Sequence, residues 1–207
     1  MTAATTDEGS SSNLVCVFCG SGDGNDPAYA EAAQALGREL VQAGYGLVYG
    51  GGDSGLMGRV ARATQASGGR VVGIMPRALT TIEGCGVEIG EMVMVDSMHE
   101  RKSLMNDHAA AFVALPGGFG TLEELLEITT WAQLAIHNKP VVVVNTNGYY
   151  SALKAMIDGA ANAGFIKAQC QKSIVFCDTP ADAVAAIKAF KPRAPRYDIE
   201  WAAKTNA

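Results

Sequence analysis

The stretch that most constrains this chain is Leu115-Pro116-Gly117-Gly118-Phe119-Gly120-Thr121-Leu122-Glu123-Glu124-Leu125-Leu126-Glu127. It follows an apolar run from Ala109 to Leu115, which reads as a buried strand, and leads into Leu122, Leu125, Leu126 and Ile128 at helical spacing. A glycine-rich turn from strand to helix is therefore expected here. Such a turn suits an anion, because glycines let the backbone approach closely and the first N–H groups of a helix have no partner inside it. Phosphate is the expected guest. Glu124 adds a carboxylate that a phosphate site alone does not need. Thr121-Leu122-Glu123-Glu124 also spells a capping box, with Thr121 as N-cap and Glu124 at the third helical position. Spacing alone leaves chemistry and capping level for this glutamate.

The rest of the chain alternates in the same way. Residues 1–13 carry no periodicity and are expected to form a disordered lead. Short apolar runs at Leu14–Cys19, Leu47–Tyr49, Val71–Met75, Glu91–Val95, Pro140–Val144 and Ser173–Phe176 read as further strands. Helical segments are expected from Pro27 to Ala43, from Ser54 to Ala66, and from a cap at Asp96 or Ser97. Others are expected from the opening turn to His137-Asn138, from Gly148 to Gly164, and from Pro180 to Phe190. The loop from Arg77 to Gly90, which carries Glu83, is longer than a typical connection and is a candidate lid or partner contact.

Strands and helices alternating at this pitch predict an α/β fold, a Rossmann-like open parallel sheet of about seven strands with helices on both faces. The expected organisation is one domain over residues 14–190 and a tail over 191–207, with Trp201 on the surface or on a neighbour. Ligands of such sheets bind outside the carboxyl ends of the strands. The glycine turns at 20, 50 and 117 and the helix start carrying Arg101 all fall at such ends. Arg101 and Lys102 oppose a local rule, since cations near a helix N-terminus are disfavoured by up to about 1 kcal/mol. A bound anion or a carboxylate such as Glu124 would reverse that sign; two side chains reaching into solvent is the plainer reading.

A net charge of -5 argues against nucleic-acid polymers and anionic membranes. No apolar run approaches the roughly 18 residues of a membrane span, and the N-terminus lacks a basic segment followed by an apolar one. A cytoplasmic, soluble protein is expected. Five cysteines are an odd number, expected as free thiols, and the Cys16-x-x-Cys19 pair ends a strand, where residues three apart point to opposite faces. His99, His108 and His137 show no metal-ligand spacing. The dinucleotide fingerprint fails because Gly20-Ser21-Gly22-Asp23-Gly24-Asn25 lacks its last glycine. No glycine turn ends in Lys-Ser or Lys-Thr, and no G-x-S-x-G elbow occurs. A small phosphate-bearing ligand, an Arg-Lys pair and a carboxylate remain.

With these residues in place, the chain resembles the LOG family, cytokinin riboside 5'-monophosphate phosphoribohydrolases that often carry an old label of lysine decarboxylase. The family signature P-G-G-x-G-T-x-x-E matches Pro116 to Glu124 at every fixed position. Further matches are Phe18-Cys19-Gly20-Ser21, Tyr49-Gly50-Gly51-Gly52 with Gly55-Leu56-Met57-Gly58, Met98-His99-Glu100-Arg101-Lys102, Thr130-Trp131-Ala132-Gln133-Leu134 and Gly148-Tyr149-Tyr150. They span about residues 14 to 190.

The resemblance implies hydrolysis of the N-glycosidic bond of an N6-substituted adenine riboside 5'-monophosphate to free base and ribose 5-phosphate, with AMP as a further candidate substrate. It implies no metal or organic cofactor, and a homodimer. Arg101 and Glu124 would be the catalytic pair. Gly118, Gly120 and Thr121 would hold the phosphate, with Lys102 and Thr130 lining the nucleotide site and Glu83 reaching it from the loop. Ser21, Gly51, Gly52, Phe119, Leu122 and Glu123 complete the implied substrate-binding set. The chemistry suits these residue types. Breaking the bond builds positive charge on the sugar and negative charge on the base, so a carboxylate beneath the ribose and an oriented cation each help. The alternative is a module of the same fold that binds nucleotide without cleaving it. Lysine decarboxylation is not expected, since no lysine is placed for a pyridoxal Schiff base.

Overall fold

The computed structural model describes residues 13–81, 86–192, 199 and 201. Seven parallel strands form one sheet: β1 (Leu14–Phe18), β2 (Gly46–Tyr49), β3 (Val71–Pro76), β4 (Glu91–Val95), β5 (Ala109–Ala114), β6 (Val141–Val144) and β7 (Ile174–Cys177). Their order is β4-β3-β2-β1-β5-β6-β7. The chain works outward from β1 to one edge and then restarts beside β1 with β5. The reversal lies between β1 and β5, and ligands of open α/β sheets bind at such a reversal.

The helices are α1 (Pro27–Gln42), α2 (Gly55–Ala66), α3 (Met98–His108), α4 (Phe119–Gln133), α5 (Ser151–Asn162), the short α6 (Ala168–Gln171) and α7 (Pro180–Ala189). β1 shows why they take both faces. All five of its residues are buried, so alternate side chains feed two cores. Val15 and Val17 join Leu36 and Leu40 of α1, Val60 of α2 and Val184 and Ile187 of α7. Leu14, Cys16 and Phe18 join Met105 of α3, Leu125 and Ile128 of α4 and Tyr150. The expected split of the C-x-x-C pair is present, with Cys16 in one core and Cys19 in the other. The four described cysteines are free thiols. Among the described residues no helix is long and apolar enough to cross a membrane.

Local capping sets several helix starts. Pro27 opens α1 behind Asp26, whose carboxylate accepts from Ala28 N–H at 2.9 Å. Ser97 caps α3 through Glu100 N–H at 3.1 Å, and the Glu100 carboxylate accepts from Asp96 N–H at 2.9 Å. α4 departs from expectation at both ends. Its cap is Gly118, so Thr121 is not the N-cap but lies inside the first turn, 4% exposed. α4 also stops at Gln133 rather than near Asn138. Ala135 adopts a left-handed φ of 62°, and Ile136 N–H donates back to the Trp131 carbonyl at 3.0 Å. Trp201 packs on its own chain there, its indole N–H donating to the Leu134 carbonyl at 2.7 Å. Residues 1–12, Glu83 and Cys85 fall outside the described residues.

The early stop of α4 turns His137 inward. Its ring packs against Phe112, with Nε2 2.8 Å from the Ile128 carbonyl and Nδ1 3.2 Å from Lys139 N–H. Nε2–H must then donate and Nδ1 must accept, which is the neutral ring. Burial pushes its pKa down to about 4, opposed by the Ile128 carbonyl and helped by Lys139. The unfolded chain binds this proton near pH 6.5 and the native chain does not, so the contribution of His137 to stability is lost as pH falls from about 6.5 to 4. Denaturant unfolding at pH 7 and pH 4.5 should differ by on the order of 2 kcal/mol through this residue. A His137→Gln chain, though less stable, should show that much less pH dependence; an unchanged difference would exclude the role.

Candidate active site

A cavity of about 300 Å³ opens at the carboxyl ends of β1 and β5. Phe18 to Ser21 wall it from the end of β1, Gly50 from the end of β2, and Met57 from α2. Met98, Arg101 and Met105 enter from α3, and Gly118 to Thr121 with Glu123 and Glu124 from the start of α4. Two backbone bonds clamp the β1 and β5 turns together, Leu115 N–H to the Phe18 carbonyl at 2.9 Å and Gly20 N–H to the Pro116 carbonyl at 3.0 Å. The Tyr150 hydroxyl donates to the Leu115 carbonyl at 2.7 Å from behind. The turn is thereby held before any ligand arrives.

Gly118 and Gly120 are glycines for which the packing of the chain offers no reason. A Cβ at either position would meet no described atom within 4 Å, and neither has positive φ. Gly120 is the second residue of α4, in the first turn of the helix. The open space in front of these backbones is cavity, at the N-terminus of a 15-residue helix. Close approach of an anion would use both the room and the helix-end N–H groups.

Arg101 does not reach into solvent. Its side chain is buried, the residue only 4% exposed, with Nε donating to the Ile74 carbonyl at 3.1 Å and Nη2 to the Gly50 carbonyl at 2.7 Å. Nη1 lies 3.7 Å from the Met98 sulfur. Glu124 lines the same cavity. Its negative charge is felt at the end of β1: the thiols of Cys16 and Cys19 are pushed up first by burial and next by Glu124. Both sulfurs stay protonated at neutral pH.

Other expected residues are placed differently. Lys102 is not among the cavity-lining residues. Its ammonium donates to Glu123 at 2.6 Å and lies 2.9 Å from Glu127, joining α3 to α4. Burial draws its pKa down, yet the hydrogen bonds to Glu123 and Glu127 outweigh that and leave it raised. Solvent is therefore not the destination of either basic side chain. Thr130 faces away from the cavity, on a groove shared with Ile157, Ile166 and Ile174, and its hydroxyl donates to the Leu126 carbonyl at 2.8 Å. Leu122 packs against the core. Gly51 and Gly52 are buried, but it is Gly50 that lines the cavity. Ser21, Gly118, Phe119, Gly120, Thr121 and Glu123 are brought together on its wall, with Phe119 93% exposed at the mouth. Met57, Met98 and Met105 were not foreseen. Met98 and Met105 stand three before and four after Arg101, on the same helical face, a spacing that could have marked them.

A family model described as possible lysine decarboxylase matches residues 57–187. Two Arabidopsis thaliana proteins named cytokinin riboside 5'-monophosphate phosphoribohydrolase, LOG7 and LOG5, are 48% and 49% identical to this chain over 178 residues. The alignments cover 86% of this chain and 82% and 78% of those proteins. Among solved structures, the Moco carrier protein from Chlamydomonas reinhardtii superposes with a TM-score of 0.63 at 20% identity, over 84% of this chain and 94% of that one. The molybdenum cofactor binding protein from Rippkaea orientalis gives 0.62 at 19%, over 85% and 95%. At such identities the likeness shows the fold alone.

Gly50 offers a test of how the cavity is held. A Cβ there would collide with the Arg101 guanidinium and crowd the Met57 sulfur. Gly50→Ala should lose about 1–3 kcal/mol in urea unfolding, and its crystal structure should show Arg101 moved off the Gly50 carbonyl. Gly118→Ala, with open space before it, should unfold close to the unsubstituted chain. Equal losses in the two variants would show that the cavity is not built around Arg101 in this way.

Proposed function

We propose a function from one premise: the chain belongs to the LOG family, to which its family model and its relatives of nearly one-half identity assign it. It hydrolyses the N-glycosidic bond of cytokinin riboside 5'-monophosphates, N6-substituted adenine nucleotides, releasing the free base and ribose 5-phosphate, and takes AMP as a simpler substrate. The observation that carries this reading is that Arg101 and Glu124 line one cavity with two glycines whose faces are open to a ligand. No metal or organic cofactor enters the reading. Nor is there a lysine among the described residues lining the cavity, which a Schiff-base decarboxylase would require.

In this reading the 5'-phosphate sits at the N-terminus of α4 against Gly118, Gly120 and Thr121, with Ser21 opposite. The ribose then lies along the first turn toward Glu124. As the glycosidic bond breaks, the anomeric carbon gains positive charge, which the Glu124 carboxylate stabilises. Glu124 also draws a proton from the attacking water; the new bond joins that oxygen to the anomeric carbon, and the departing base takes up a proton. Arg101, fixed by the Ile74 and Gly50 carbonyls, supplies an immobile positive charge that balances Glu124 and the phosphate. Lys102 acts from behind, holding Glu123 and Glu127 and so the start of α4. Incubation with isopentenyladenosine 5'-monophosphate should release base and ribose 5-phosphate in equal amounts. Glu124→Gln should lower kcat about 10²- to 10⁴-fold with little change in KM. Tight nucleotide binding without product would instead identify a carrier or sensor, and full turnover by Glu124→Gln would remove Glu124 from the mechanism.

The working form in this reading is a cytoplasmic homodimer. The free thiols of the described cysteines suit a reducing compartment. The face built by α4, α5 and α6 supports a second copy: no residue of α5 is fully buried, while Met156 and Phe165 are 74% and 83% exposed. Each is next in sequence to an isoleucine, Ile157 or Ile166, that lines the groove between these helices, and large exposed apolar patches are uncommon on a monomer. Light scattering should give the mass of two chains, and Phe165→Asp with Met156→Asp should give one chain of 21.5 kDa. A monomeric unsubstituted protein would overturn the assignment.

A further inference from the structure

The cavity has two chemically different ends. At one end Ser21, Gly118, Gly120 and Thr121 surround the helix start. On the side of Gly50 and Arg101, the Met57 sulfur stands beside Gly50 and the Met98 sulfur beside Arg101, and Met105 also lines the cavity. Behind that second end, Met75 and Met92 pack against Gly51. Five of the eight methionines of the chain thus line this cavity or pack behind its Gly50-Gly51 wall. We infer that Met98, backed by Met57 and Met105, is the wall that selects the N6 substituent of the substrate, an inference that rests on the phosphoribohydrolase reading.

Position follows from the chemistry of a nucleotide. Phosphate and base leave the ribose on different carbons, so a phosphate at the α4 start and an anomeric carbon near Glu124 send the base toward the methionines. In adenine the N6 atom lies on the edge away from the glycosidic nitrogen, so its substituent points outward, past the inner residues. The inner methionines are closed to solvent, with Met57 7% and Met105 1% exposed. Met98 is 41% exposed and lies at the rim, where a substituent would emerge.

Side-chain type follows from what must be held. An unbranched thioether has three rotatable bonds and a polarisable sulfur, so it can lie along a flexible alkenyl chain or against a flat ring. A β-branched residue at 98 would fit fewer shapes. The Met98 sulfur also touches Arg101 Nη1 at 3.7 Å, so the residue that meets the substituent lies against the fixed cation. Substitution at Met98 can therefore act in two ways, and the test must separate them.

The experiment compares kcat/KM for isopentenyladenosine 5'-monophosphate and for AMP in each protein, and reads only their ratio. Support of Arg101 by Met98 would change both substrates alike and cancel. Contact with the substituent would change the substituted substrate alone. Met98→Ala should lower the ratio by about 10-fold or more, the scale of losing a methylene-sized contact in an apolar pocket. Met98→Leu, which keeps the bulk, should retain it. Met98→Ile should favour one substituent over another when benzyladenosine 5'-monophosphate is included. Because Met98 is at the rim, the folded fraction of each variant can be checked by urea unfolding, and Met57→Leu gives a second measure from the inner wall. Turnover by the unsubstituted protein with a ratio unmoved in Met98→Ala overturns this inference and leaves the functional reading standing. Absence of turnover by the unsubstituted protein overturns both.

Discussion

A guanidinium held inside the protein by backbone carbonyls is the interaction on which the rest of this site depends. Taking a charge out of water is expensive, and the expense is tolerable only when hydrogen bonds replace the lost water. Arg101 obtains them from Gly50 at the end of β2 and from Ile74 in β3. One acceptor lies within a strand and the other in the turn directly after one, so the charge is registered against both β3 and the turn that follows β2. The same demand explains why residue 50 has no side chain, since a Cβ would occupy the place of the guanidinium. It also explains how a cation comes to lie in the first turns of α3, against the preference of an isolated helix.

The alternation of strands and helices was legible because the strands are short apolar runs, several of them followed by a glycine or proline, and three helices begin with a recognisable cap. Asp26-Pro27, Ser97 with Glu100, and Thr179-Pro180 act as their side chains suggest. The opening turn was legible as a turn, but not in register. Thr121 resembles a cap, yet α4 begins earlier because Gly118 can end the extended chain without a capping side chain. The far end of α4 misled for another reason. Helical spacing persists through Ile136 and His137, but the chain leaves the helix after Gln133 and takes a left-handed φ at Ala135, which brings His137 onto Phe112.

The site was legible in part. Glu124 and the glycines are local to one motif, and local motifs survive translation into structure. Lys102 and Thr130 are not. Whether Lys102 faces a ligand or a carboxylate depends on where α4 lies, and its two partners, Glu123 and Glu127, are four residues apart on that helix. Thr130 is six residues beyond Glu124 and so lies on another side of α4, toward the groove with α5 and α6. Met57 comes from α2 and Met98 and Met105 from α3, so only the packing of the two helices brings them to one cavity.

The thiol of Cys19 has a consequence for the chemistry of its surroundings. It lines a cavity that also holds a carboxylate, and sulfur is by nature a better nucleophile than water. Burial and the nearby negative charge together keep its proton in place, so the competent form of the sulfur, the thiolate, is withheld. An electron-poor carbon generated beside Glu124 would therefore meet a disarmed sulfur, and capture by solvent would not compete with formation of a thioether. Burial first, and the carboxylate second, thus keep the sulfur out of the chemistry proposed for this cavity.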